Sequence, residues 1–208
     1  MAYQSIWYFT DLNSEIVKTI EKDLEQNYGD AMKESEIDSG KVEKWKRNSK
    51  NAWVPTSHWL GGFMWHYVQR ANRENFLYDL RNIDSETMQY TRYGEGEFYG
   101  WHSDSDLHCH YKPASEGMQC NSEEMIGDFL RENTEYVRKL SFVLQLSDPD
   151  DYEGGNLQLL NEEGKSYIAP RQRGTVILFD SRTKHRVQKV RSGVRKSIVG
   201  WVVGPRWK

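Results

Sequence analysis

Apolar positions in the first third of the chain recur every four residues at Ile16, Ile20 and Leu24, after a capping candidate at Asn13 or Ser14 and before the stop signals Gly29 and Asp30. That spacing predicts a helix. A second helical pattern starts near Ser57 and puts Leu60, Phe63, Met64, Tyr67, Val68 and Ala71 on one face, although Gly61 and Gly62 weaken its first turns. The Lys-, Ser- and Gly-containing residues 38–51 between them read as a strand-flanked exposed loop, so residues 12–80 are expected to be a helical support. From about Glu86 the period changes. Residues 88–93, 140–146, 156–160, 175–179 and 197–203 are short runs rich in β-branched and aromatic side chains. Asp148-Pro149-Asp150-Asp151, Gly154-Gly155 and Glu162-Glu163-Gly164 punctuate them as turns. The expectation is an α+β, mainly β chain of one domain over residues 1–208, with flanking N-terminal helices and an antiparallel jelly roll over 86–204. Residues 105–138 interrupt the strand series as an insertion, polar at first and then helical in pattern through Met125, Phe129, Leu130, Tyr136 and Val137. Excursions of that length are commonly lids or disordered loops.

Composition narrows the function classes. The 208 residues include 8 Trp and 12 Tyr and are 37% hydrophobic, which is enough for a core and excludes wholesale disorder. With 28 basic against 31 acidic residues the net charge is −3, a poor balance for general polyanion binding. No stretch is long enough to cross a bilayer, and the first residues (Met1-Ala2-Tyr3-Gln4-Ser5) lack a basic and then apolar leader pattern. A cytoplasmic location and no membrane partner are therefore expected. Cys109 and Cys120 are the only cysteines, so there is no disulfide framework.

His102-Ser103-Asp104 is the first chemical candidate, because residues i and i+2 of a strand share a face. His185 follows a strong strand pattern and could complete two histidines and one carboxylate, the facial set of non-haem Fe(II) oxygenases. Taken alone, a His-x-Asp pair is a common surface occurrence. If the chain turns back through Arg191-Ser192-Gly193, Arg195 could enter the same mouth and bind the far end of a dicarboxylate as a planar fork. Otherwise it is a solvated edge charge. Other clusters carry less. His108-Cys109-His110 with Cys120 matches no common closed zinc module, and His58 and His66 read as helix-packing or surface residues. Lys41, Lys44, Lys46, Arg47 and Lys50 with Trp45 and Trp53 could hold a nucleic-acid strand, but nearby acidic residues dilute the charge and favour a loop that closes over a peptide.

The run from Arg92 to Asp104, Arg-Tyr-Gly-Glu-Gly-Glu-Phe-Tyr-Gly-Trp-His-Ser-Asp, resembles the prolyl 4-hydroxylase signature, in which two tyrosines, two glycines and a His-x-Asp pair occur in this order. Leu140-Ser-Phe-Val-Leu, Gly154-Gly-Asn-Leu, Gly174 through His185-Arg186-Val187, then Arg195 and Trp201 follow in the family's order. Upstream, Arg47-Asn48-Ser49 followed by Trp53 is similar to an Arg-x-Ser stretch preceding the family's barrel. The family is the Fe(II)/2-oxoglutarate-dependent prolyl hydroxylases, including bacterial and phage PKHD-type members. The resemblance implies a double-stranded β-helix with His102, Asp104 and His185 as iron ligands and Arg195 on the C5 carboxylate of 2-oxoglutarate. It implies Tyr93 in the cosubstrate pocket, and Tyr99, Trp201 and Arg47 around the substrate. Gln145 stands where some relatives use a tyrosine to help hold the C5 carboxylate, a departure from the pattern. The implied cosubstrates are 2-oxoglutarate and O2 with Fe(II), and ascorbate as reductant; the implied partner is a proline-containing peptide or protein. Asp104 itself argues for hydroxylation over halogenation, since related halogenases vacate that position. A nucleic-acid base demethylase shares the fold, but where those relatives carry a second arginine this chain has Trp201. A silent jelly-roll binding module is the third alternative, opposed by the intact triad. On this reading, residues 41–51 and 105–138 are expected to close over a bound peptide.

Overall fold

The computed structural model describes residues 5–36, 42–105 and 136–207. Residues 106–135 of the expected insertion, with His108, Cys109, His110 and Cys120, lie outside the described residues, as does Lys41. In chain order the strands are β1 (Ile6–Phe9), β2 (Lys33–Glu34), β3 (Arg47–Asn48), β4 (Lys50–Pro55), β5 (Asn82–Ile83), β6 (Thr87–Tyr93), β7 (Phe98–His102) and β8 (Tyr136–Gln145). They continue as β9 (Tyr152–Gly154), β10 (Leu157–Leu160), β11 (Ser166–Ile168), β12 (Val176–Asp180), β13 (His185–Val187), β14 (Val190–Gly193) and β15 (Arg195–Pro205). The two helices are α1 (Ser14–Tyr28) and α2 (Trp59–Ala71). Among the described residues no helix is long and apolar enough to cross a membrane.

The strands pair antiparallel in two main sheets. The larger runs β1-β12-β8-β15-β6-β4-β2, with β5 added against β15, and the smaller runs β11-β10-β13-β7-β3. Strand alternation divides the large sheet into two faces. Met88, Tyr90, Leu140, Phe142, Leu144, Ile198 and Val202 face the helices and form the main core with Val17, Ile20, Leu24, Leu60, Met64 and Val68. The other face meets the small sheet through Val143, Ile177, Phe179, Leu157, Leu159 and Ala169. This is a double-stranded β-helix backed by two helices.

Asn13 caps α1 by accepting from the Glu15 N–H at 2.8 Å. The buried stripe of α1 is Val17, Ile20 and Leu24, and Ile16 is exposed, because a helix places i+3 and i+7 on the face of Val17. His58 caps α2, its Nδ1 accepting from the Leu60 N–H at 3.3 Å. Gly61 is there for close approach: a Cβ at this position would lie 2.2 Å from the Thr56 carbonyl oxygen.

Two expectations need correction. Residues 12–80 are not a purely helical support, since β2, β3 and β4 lie within them. Nor is the 38–51 loop exposed throughout. β3 pairs with β7 as the edge of the small sheet and β4 lies between β6 and β2 in the large one, and Arg47, Ser49 and Asn51 are buried. Arg47–Asn48 is thus held in a strand rather than carried on a closing flap. The chain does turn back before Arg195, with Gly193 at φ +76°, where a Cβ would lie 2.1 Å from the Asp151 carbonyl oxygen.

Candidate metal and cosubstrate site

Register builds the site. β13 runs antiparallel to β7 with His185 opposite His102, so two histidines far apart in sequence bring their ring centroids to 4.2 Å. Asp104 follows β7 closely and is fixed by backbone bonds: its N–H and that of Ser105 both donate to the Ser181 carbonyl, at 2.8 and 3.0 Å. The carboxylate reaches both imidazoles, with Oδ1 at 3.5 Å from His102 Nε2 and Oδ2 at 3.4 Å from His185 Nε2. Donor atoms of the three residues lie within 4.8 Å of one another. Each ring is oriented from behind. His102 Nδ1 is 2.8 Å from the Gly100 carbonyl and His185 Nδ1 is 2.9 Å from that of Thr183. With the proton on Nδ1, each Nε2 lone pair turns to the common centre.

Electrostatics agree with a neutral His185 and an ionised Asp104 as ligands. Burial pushes His185 down to about 4, with His102 adding to this and Asp104 opposing it, so the ring is neutral at pH 7. Burial alone would raise the Asp104 carboxyl, but His185, His102 and Arg138 outweigh it and hold the group below the ordinary carboxylate range. The Ser141 hydroxyl donates to Asp104 Oδ2 at 2.6 Å. Two imidazoles and one carboxylate on one side of a point suit a divalent iron and leave positions for other ligands. The residues fit that ion.

Arg195, at the start of β15, lines the same pocket and is 1% exposed. Its Nη2 donates to Gln145 Oε1 at 2.9 Å and its Nη1 to Ser197 Oγ at 3.4 Å, both neutral acceptors. Nε has no acceptor among the described residues. A buried guanidinium held only by neutral groups is costly until an anion arrives.

Eight of the nine expected site residues line this one pocket: His102, Asp104, His185, Arg195, Tyr93, Tyr99, Trp201 and Arg47. Tyr99 stacks on His102 with centroids 3.6 Å apart, and Arg47 lies over the other partner, its guanidinium 4.8 Å from the Tyr99 ring. The ninth, Gln145, stands behind Arg195 and donates from Nε2 to the Pro170 carbonyl at 3.3 Å. Residues the sequence reading passed over also shape the site. Ser141 holds the carboxylate, and Gln89 accepts from Arg47 Nη2 at 3.0 Å. Arg138 lies 4.1 Å from the Trp201 ring while its Nη2 pairs with Asp84 at 2.8 Å. Strand alternation signals Ser141, which shares its face with Val143 in a run whose other members are core; nothing local marks Asp84 as the partner of Arg138.

A mononuclear metal-ligand triad and a buried cation, opening into one apolar-walled pocket of a double-stranded β-helix, define the class as a non-haem iron, oxoacid-type site. A family model of the 2OG-Fe(II) oxygenase superfamily matches residues 88–203. The chain belongs to that superfamily. It is 33% identical over 138 residues to a PKHD-type hydroxylase of Picosynechococcus sp., covering 65% of this chain and 51% of that protein. A PKHD-type hydroxylase of Synechococcus elongatus is 30% identical over 148 residues, 71% of this chain and 64% of its own. The chain thus spans between about half and two thirds of the length of these relatives. Among solved structures, a Pseudomonas putida prolyl-4-hydroxylase superposes with a TM-score of 0.66 at 17% identity, covering 95% of this chain and 91% of that one. A Trichoplax adhaerens prolyl hydroxylase in complex with a hypoxia inducible factor oxygen degradation domain peptide fragment gives 0.69 at 17% identity, covering 95% and 83%. These two likenesses speak for the fold.

Proposed function

We propose that the protein is an Fe(II)- and 2-oxoglutarate-dependent dioxygenase that hydroxylates a prolyl residue of a peptide or protein, with 2-oxoglutarate decarboxylated to succinate and CO2. The observation that carries this reading is Arg195, a buried cation without an anionic partner among the described residues, lining the pocket that holds the His102, Asp104 and His185 triad. His102 Nε2, His185 Nε2 and Asp104 would hold iron, which together with 2-oxoglutarate and O2 supplies the oxidising power to hydroxylate an unactivated C–H bond. The chain's own tasks are then binding, orientation and exclusion of water. Arg195 takes the distal carboxylate as a fork. Val143, Leu157, Phe179, Val187 and Val199 give the pocket an apolar wall that keeps water from the reacting carbon. Trp201, backed by Arg138 and flanked by Trp53 at 6.5 Å, offers an aromatic face on which a proline ring can lie. Tyr93, Tyr99 and Arg47 complete the wall, Tyr93 beside Arg195 and the other two on the His102 side.

The prolyl target is supported by the PKHD-type relatives and by the aromatic face of Trp201, whose neighbouring Arg138 is paired with Asp84. The test is succinate release by purified protein with Fe(II), 2-oxoglutarate and ascorbate against a library of prolyl peptides, with mass spectrometry of the products. A +16 Da shift on proline is expected. Hydroxylation confined to another residue type overturns the prolyl assignment, and no succinate under any condition overturns the dioxygenase reading.

A further inference from the structure

β8 carries a lysine without the usual partners of an ammonium group. Cα register pairs Val202 of β15 with Leu140 and Val203 with Arg138, so Lys139 is the extra residue of a β-bulge. A bulge re-aims a side chain out of strand alternation. Gly204 leaves the room for it, since a Cβ there would lie 3.3 Å from Lys139 Cγ. Lys139 is 5% exposed, and its Nζ lies 3.5 Å from the centre of the Trp207 ring. That amine makes no hydrogen bond or ion pair among the described residues. The Arg182 guanidinium lies over the same ring at 3.8 Å, so two like charges share one indole.

The indole supplies a second, independent observation. Trp207 Nε1 is buried and has no acceptor among the described residues. An indole N–H can only donate, and buried donors are normally satisfied. Arg182 has a donor to spare as well: its Nε and Nη2 hold Asp180, and Nη1 takes no part in either bond. An acceptor-poor indole N–H and a guanidinium corner beside one amine call for an anion at that amine. We propose that Lys139 is a carbon dioxide site, where the amine becomes a carbamate whose oxygens accept from Trp207 Nε1 and Arg182 Nη1. The lone pair of the neutral amine attacks the carbon of dissolved CO2. The N–C bond forms as one C–O π pair moves onto oxygen, and the nitrogen releases a proton to water, so no redox partner is needed. Burial favours the neutral amine, pushing Lys139 down to about 8, with Arg182 adding and Asp79 and Asp180 opposing. These carboxylates leave the site open to an anion. Asp180 is bonded to Arg182 and to the Tyr78 hydroxyl, and Asp79 is paired with Arg81 at the surface. Lys139 does not line the metal pocket, so the site stands apart from the reading of that pocket. If the pocket decarboxylates 2-oxoglutarate as proposed, its own product is one source of CO2.

The experiment equilibrates the full chain with isotope-labelled bicarbonate near the Lys139 midpoint of about pH 8. Carbamates are trapped by alkylation with a trialkyloxonium salt and located by peptide mass mapping, and carbon NMR reads their occupancy. The expected result is a trapped carbamate on Lys139 that saturates with bicarbonate. The α-amino group and exposed lysines also take up CO2, so position decides: label confined to those amines overturns the proposal. Trp207→Phe keeps a ring face and removes the N–H. A hydrogen bond to a charged group corresponds to about tenfold or more in affinity, so half-saturation of Lys139 should need that much more bicarbonate, with labelling of the α-amino group unchanged. Equal saturation in parent and Trp207→Phe overturns the assignment of the indole donor and the site built on it. Lys139→Met should lose the saturable carbamate signal, and a signal that survives this substitution also overturns the proposal.

Discussion

Removing the Arg195 guanidinium should separate two properties that normally move together, ligand binding and stability. The side chain is 1% exposed and bonded only to Gln145 and Ser197, so in the unliganded protein its charge is desolvated without an anion. Arg195→Met replaces it with an apolar chain of similar length beside the neutral side chains of Gln145 and Ser197. Replacing buried charge in this way is often neutral or stabilising, so the unliganded melting temperature should hold or rise. Binding should fall sharply. Truncating one side of a buried charge pair costs about 2–5 kcal/mol, which is a loss of about 30- to 4000-fold in affinity. At a 2-oxoglutarate concentration of about 100 times the parental dissociation constant, ligand stabilises the native state by about 2.7 kcal/mol. For a chain of this size that is a rise of about 5–11 °C in melting temperature. The parental protein with Mn(II) should show that rise, and Arg195→Met should keep at most about a third of it. Arg195→Lys should recover part, keeping charge without the planar fork. A variant that melts well below the parent without ligand, yet keeps the ligand-induced rise, would refute the view of Arg195 as an anion seat and make it a structural residue.

His102→Ala or His185→Ala should abolish iron-dependent 2-oxoglutarate consumption while far-UV circular dichroism stays parental, because both rings sit at the pocket and outside the helix-backed core; consumption near the parental rate in either variant would remove the triad from the reaction. Ser141→Ala deletes the 2.6 Å hydrogen bond to Asp104 and should weaken Mn(II) or Fe(II) binding by about tenfold to a hundredfold in a metal titration, as loss of an outer hydrogen bond to a ligand does. Burial pushes Lys139 down to about 8, with Arg182 adding and Asp79 and Asp180 opposing, whereas the unfolded amine titrates near 10.5. The unfolded chain therefore holds the extra proton between those values, and stability gains from this group as pH rises from about 8 towards 10.5. Measured by denaturant unfolding, the stability of the parent relative to Lys139→Met should rise from pH 7 to pH 10, and a flat difference would exclude the buried amine as a cause.

The parts of this fold legible in the sequence are those in which one segment carries its own pattern. The α1 and α2 periodicities, and the apolar runs that became β8, β12 and β15, needed only alternation or a 3.6-residue repeat. β1 was not legible, since Ile6-Trp7-Tyr8-Phe9 is an unbroken apolar run with no period and acquires its place only by pairing with β12. β3 and β4 were hidden for the opposite reason. Their residues are largely polar, and Arg47, Ser49 and Asn51 are buried through hydrogen bonding and edge pairing rather than through apolar character.

The same distinction runs through the site. His102, Asp104, His185 and Arg195 stood out through the ordered resemblance that runs from Arg92 to Trp201 rather than through any one pair, and the Gly193 turn brings Arg195 back to the mouth. What holds them was not legible, because it is a matter of register. His102 meets His185 because β7 and β13 pair at that residue, and Ser141 meets Asp104 from another sheet. Gln145 shows how register changes a role. At its position an amide has two functions to place; one is used on Arg195 and the other on Pro170, so the group that could have faced the anion faces away.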